Sequence, residues 1–136
     1  MIDSYAPRQP WWQKMDGASD GWVVECPETK WFIHYYFSPY EDMRPGAKYK
    51  LSVRVKGAPK QKDGTAFVFG VDSSDKAQAK FNKVSTADLG DDRFRVFELE
   101  GVEMPPGGWC MFGFYLPPDK PMPKVFLDCL WLTEKR

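Results

Sequence analysis

The sequence predicts an all-β chain folded as a two-sheet antiparallel sandwich. Residues 48–56 set Tyr49, Leu51, Val53 and Val55 against Lys48, Lys50, Ser52, Arg54 and Lys56, the period-two alternation of a strand with one face in the core. Other short runs of β-branched and aromatic residues are cut off by turn formers, as at Pro105-Pro106-Gly107-Gly108 and Pro117-Pro118. No segment keeps a 3.6-residue apolar period over several turns, so helix is confined to a turn near residues 75–79 or 86–89.

In chain order, residues 22–26 form a strand ended by Pro27, and residues 31–37 one closed by Ser38 and Pro39. The alternating stretch 48–56 follows. Residues 65–72 are apolar at almost every position and are expected to be covered on both faces. Residues 80–85 give a weaker pattern, with Phe81 and Val84 out of strict alternation. Residues 93–99 change phase at Val96-Phe97, which points to a bulge there. Residues 109–116 and 125–132 are apolar at nearly every residue and read as central strands. These eight strands, evenly spaced and without a helical crossover, imply antiparallel pairing and, most specifically, a jelly roll. Residues 1–20 are expected to be an irregular N-terminal segment of a single domain spanning 1–136.

A chain of 136 residues can bury roughly two thirds of its unfolded surface, enough for a core without metal or disulfide support. The 19 basic and 19 acidic residues cancel and are scattered, so the basic stripe that a nucleic-acid partner requires is missing. No apolar run approaches the ~20 residues of a membrane span, and the N-terminus lacks the pattern of an export signal. Cys26, Cys110 and Cys129 form no close pair, and with His34 as the one histidine the paired spacing of a zinc site is absent. They are either one disulfide with a spare thiol or three buried thiols acting as small hydrophobes.

Catalytic constellations are not evident, and no enzyme activity is expected. His34 sits mid-strand between Ile33 and Tyr35, where it reads as a wall residue, and no nucleophile elbow or phosphate loop is present. Asp72, Asp75, Asp91 and Asp92 lie in turn-like sequence, where acids serve as turn formers. Asp128 differs. It interrupts an apolar strand on the face that strict alternation would give to Phe126, Leu130 and Leu132, so it must be paired, hydrogen-bonded or on a metal. A structural Ca²⁺ completed by Asp3 or Glu25 is one expectation; capture by backbone N–H groups or a basic side chain is the other.

Trp11, Trp12, Trp22, Trp31, Trp109 and Trp131 exceed what one small core absorbs, because a buried indole N–H also needs a partner. Ring faces stack on the C–H faces of pyranose sugars, so surplus rings suggest a glycan surface. Alternation groups Trp31, Ile33 and Tyr35 opposite Phe32 and Tyr36, and Trp109 and Tyr115 opposite Phe112 and Phe114. The expected carbohydrate contacts are Trp31, Tyr35, Trp109 and Tyr115, with Arg54 and Arg95 on outward phases as hydroxyl donors. Trp11-Trp12 is either a platform or a plug at one end of the sandwich.

The segments Tyr49-Lys-Leu-Ser-Val-Arg-Val-Lys56, Gly64-Thr-Ala-Phe-Val-Phe-Gly-Val-Asp72, 94–99 and Val125-Phe-Leu-Asp-Cys-Leu-Trp-Leu132 resemble the jelly-roll carbohydrate-binding modules attached to glycoside hydrolases. They are more similar still to the C-terminal β-sandwich of bacterial glycoside-hydrolase-like proteins related to α-glucuronidases. The resemblance implies a galactose-binding-like sandwich. It implies a non-catalytic carbohydrate-binding module that tethers a linked catalytic domain to a polysaccharide or oligosaccharide. Such a module would be a monomer, secreted or displayed at the cell surface as part of a larger protein. In some of these modules a last-strand acid, matched here by Asp128, coordinates calcium. The alternative is a structural or interaction sandwich that packs on a catalytic partner and binds no sugar.

Overall fold

The computed structural model describes residues 3–4, 12–27, 32–57, 63–117 and 124–135. They form two five-stranded antiparallel sheets. The front sheet runs, in spatial order, through β1 (Asp3–Ser4), β4 (Phe32–Tyr36), β9 (Cys110–Tyr115), β6 (Thr65–Ser73) and β7 (Lys80–Ser85). The back sheet runs through β2 (Trp12–Lys14), β3 (Trp22–Pro27), β10 (Lys124–Glu134), β5 (Lys48–Gly57) and β8 (Arg95–Glu103). All eight expected strands are present, and β9 and β10 are the central ones. The N-terminal segment is more regular than its sequence suggests: β1 pairs with β4, and β2 with β3. Helix is limited to a 3₁₀ turn at Lys76–Gln78 and one turn, α1, at Thr86–Leu89, each opened by a side-chain cap from Asp75 or Ser85.

Alternation fixes what each sheet contributes to the core. β5 buries Tyr49, Leu51, Val53 and Val55, while β6 and β9 bury Phe67, Phe69, Phe112 and Phe114. Phe67 stacks on Phe114 at 4.8 Å and meets Phe97 of the back sheet edge-on at 5.4 Å, so one ring joins the two layers. Such ring pairs contribute about 0.5–1.5 kcal/mol each beyond their buried area.

Two bulges, in β8 and β10, set the phase of the back sheet, and neither lies where strict alternation suggests; a third register shift lies in β6 of the front sheet, between Thr65 and Phe67. In β8, Val96 is exposed and Phe97 turned toward the core, with no phase change between them. The register against β5 shifts later, where Leu51 faces Leu99 and Tyr49 faces Val102. The extra residue falls at Glu100-Gly101, and Gly101 adopts φ +72°, the left-handed conformation that this type of bulge needs. In β10 the register shifts between Leu127 and Cys129, which makes Asp128 the inserted residue. Leu127, Leu130 and Leu132 all stay with the core, so Asp128 does not share a face with Leu130 and Leu132 as alternation implied.

The three cysteines are free thiols; Cys26 and Cys110 are buried and Cys129 half-buried. Burial pushes Cys26 and Cys110 up to about 12 and also raises Cys129. In the native state Ellman's reagent should therefore react with Cys129 first, and with Cys26 and Cys110 only after unfolding. Phe67→Ala should cost about 3–5 kcal/mol in urea denaturation, because it removes the ring that bridges both sheets.

Candidate functional site

The outward-pointing residues of the front sheet fall into three rows that cross its strands. In the middle row His34 faces Gly113, Gly113 faces Gly70, and Gly70 faces Phe81. On one side Tyr115, Val68 and Lys83 are in register; on the other, Tyr36, Met111 and Asp72. Rows lie about 6.6 Å apart, two residues along a strand. Two adjacent glycines, Gly113 and Gly70, carry no side chain in the middle row, and both are buried.

The glycines are required by close approach. A Cβ on Gly70 would fall on the Lys80 carbonyl, and one on Gly113 would sit 3.3 Å from the Phe81 ring, which leans over it. The outer side of β6 is thus covered by its neighbour β7, in line with its uniformly apolar sequence. Four exposed rings stand on this face: Tyr36 at 54%, Phe81 at 44%, and Trp109 and Tyr115 at 38% each. They form two pairs. Tyr36 meets Trp109 at 5.8 Å, and Phe81 meets Tyr115 at 6.4 Å, both tilted rather than stacked, so ring faces remain open.

Trp109 is held from below. Its backbone N–H donates to Ser74 Oγ at 2.9 Å, and its carbonyl accepts from Ser74 N–H at 3.0 Å. Lys76 Nζ lies 5.4 Å from the indole centroid and donates to Asp72 at 2.9 Å. That hydrogen bond, with one from Ser73 N–H, holds the Asp72 carboxyl below its ordinary range. Rings, an ammonium and a carboxylate thus converge at one end of this face, a set that can stack on an apolar face and hydrogen-bond to hydroxyls.

The sequence-expected contacts divide. Trp109 and Tyr115 lie on this face, opposite buried Phe112 and Phe114, as alternation required. Tyr35 does not: it packs against the core with Ile33, and its hydroxyl donates to Asp42 at 3.0 Å. The phase of β4 is therefore the reverse of the expected one, and Tyr36 points outward with His34. The sequence signal was Ile33, the aliphatic residue that marks the inner face. Arg54 belongs to the back sheet, bonded to Asp128 and stacked 4.2 Å from Phe94. Arg95, also on the back sheet, shares the inward phase of Phe97 and Leu99, and its guanidinium holds Asp91 at 2.9 Å. Neither arginine shares a surface with the rings. Trp31 and Trp11 lie outside the described residues; Trp12 is half-buried against the core, as a plug would be. Phe81 and Tyr36, exposed on the same face, were not among the expected residues. Gly70 and Gly113, interior strand glycines on the outward phase, were the signal for a close approach at this face.

No protein-family model matches the chain, and no curated protein matches it in sequence. Solved structures share its fold. The chain is similar to TmCBM61, solved in complex with β-1,4-galactotriose, at TM-score 0.59 and 11% identity, over 99% of this chain and 88% of that one. It is similar to the xylan-binding module CBM15 at TM-score 0.58 and 7% identity, over 100% and 97% of the two chains. For the family 35 carbohydrate binding module from Clostridium thermocellum the values are 0.52 and 12%, over 98% and 99%. The two-sheet antiparallel sandwich is common to all.

Asp128 answers the question of a cation by its partners. One carboxylate oxygen accepts from Ser19 N–H and Oγ, each at 2.9 Å; the other accepts from Arg54 at 2.5 Å. A guanidinium in that position repels a metal ion. Glu25 accepts from Gln13 and pairs with Lys124 at 3.2 Å, and Asp3 is described only through its backbone pairing with His34. Among the described residues no group of three His, Cys, Asp or Glu side chains could hold a metal. The arrangement is capture by a backbone N–H, a serine hydroxyl and a basic side chain. Asp128→Ala should cost about 3 kcal/mol by leaving Arg54 unpaired, whereas EDTA or added Ca²⁺ should leave the melting midpoint unchanged.

Proposed function

We propose that this chain binds carbohydrate without transforming it, through the outer face of the front sheet. The observation that carries the reading is the set of four exposed rings, Tyr36, Phe81, Trp109 and Tyr115, on that face. A face that sets Lys76, Asp72 and Lys83 among exposed rings suits a hydroxylated chain better than a protein partner, whose docking face would be more evenly apolar. Similarity of fold to modules that bind galactotriose and xylan supports the same reading.

A binding role without catalysis follows from the acids. Glycoside hydrolysis needs two carboxyl groups flanking the scissile bond, about 5–9.5 Å apart. Among the outward-facing residues of β4, β9, β6 and β7, Asp72 is the one acid, and Lys76 occupies it. Linked to a polysaccharide-degrading enzyme in a secreted or surface protein, such a module would raise the local concentration of substrate by tethering. Among the described residues no helix is long and apolar enough to cross a membrane.

Isothermal titration against soluble xylan and β-1,4-galactan tests the proposal. Trp109→Ala should weaken binding roughly tenfold while the melting midpoint stays near that of the native chain. Absence of heat with every polysaccharide in a broad panel, from a folded sample, would overturn it.

A further inference from the structure

Tyr40 follows Tyr36 by one turn of chain, and its ring is 78% exposed. Its backbone has φ +71°, the one non-glycine residue in the left-handed region among those described. Side chains rarely occupy that region, and a bulky aromatic there is an outlier that the surroundings must enforce. They do so. The Asp42 carboxylate accepts from Ser38 N–H at 2.7 Å and from Tyr35 OH at 3.0 Å, and Tyr40 N–H donates to the Met43 carbonyl at 2.7 Å. Met43 is buried in the core and anchors the turn. Strain is thus maintained to hold a phenol ring out in solvent, where packing gains nothing from it.

The turn begins at the end of the front sheet from which Trp109 projects, since Phe37 N–H donates to the Cys110 carbonyl at 3.0 Å. The Phe81–Tyr115 pair, the Tyr36–Trp109 pair and Tyr40 therefore succeed one another along the strand direction. From Tyr115 to Met111 alone that line covers about 13 Å.

Resting on the binding reading above, we infer that Tyr40 is a further ligand contact, and that the ligand is an internal stretch of a linear glycan lying along the strands and leaving over the β4–β5 turn. A single sugar or a chain end would not reach it. Tyr40→Gly separates this role from folding, because glycine adopts φ +71° without strain.

The test is titration of the native chain, Tyr40→Gly and Trp109→Ala with linear xylo- and β-1,4-galacto-oligosaccharides of three and six units. Tyr40→Gly should weaken the longer ligand roughly fivefold, leave the shorter within about twofold, and melt no lower than the native chain. If Tyr40→Gly binds both lengths as the native chain does while Trp109→Ala loses both, Tyr40 is not a contact and the reading of the front face as the binding surface stands. If the native chain binds neither length, both readings fall.

Discussion

The contact that the rest of the structure depends on is the meeting of Phe67 with Phe114 and Phe97 between the sheets. A strand turns alternate residues to opposite sides, so burying one set dictates the other. With Phe67 and Phe69 inward, Val68, Gly70 and Asp72 must face out. With Phe112 and Phe114 inward, Met111, Gly113 and Tyr115 must do the same. A slip of one residue would bury the glycines and expose the phenylalanines, which the core does not permit. The ring-bearing outer face is the imprint of the way the interior is packed.

The outer faces of the two sheets are finished differently. On the back, the segment between β2 and β3 is drawn down by Ser19 on Asp128 and by the Gly17 carbonyl, which accepts from Arg54 at 2.9 Å. Arg54 covers Phe94, and Lys50 pairs with Glu98 at 2.7 Å beside Ser52. Charge and backbone cover part of that surface, although Trp22, Val96 and Trp131 of that sheet remain exposed. On the front, β7 closes over Gly70 and Gly113, while Tyr36, Phe81, Trp109 and Tyr115 stay exposed.

Much of the fold was legible because its strands alternate or are bracketed by proline and glycine: β5, β6, β9 and β10 could be read directly. What failed was phase. A bulge inserts one residue without changing composition, so its position in β8 and the face of Asp128 could not be read from apolar pattern alone. In β4, rings at Tyr35 and Tyr36 carry no label for inside or outside, and only Ile33 breaks the tie. Arg95 has the inward phase but lies at a strand end, where a long side chain can leave the core for Asp91. β2 and β1 are too short to show a period. Of the candidate site, Trp109 and Tyr115 were legible because their strand contains two buried phenylalanines that fix its orientation. Tyr40 was not, since positive φ at a tyrosine is a property of the folded turn.

Phe81 stands on β7, which pairs with β6 on one side and has an unpaired row of amides and carbonyls on the other. A solvent-facing aromatic beside an open strand edge invites a second molecule to add on as another strand. Lys80 and Lys83, both exposed on the same strand, set like charges at that margin, so two copies brought edge to edge would meet repulsion before their backbones could pair. The chain can display sticky rings at its rim and still resist self-assembly into ribbons.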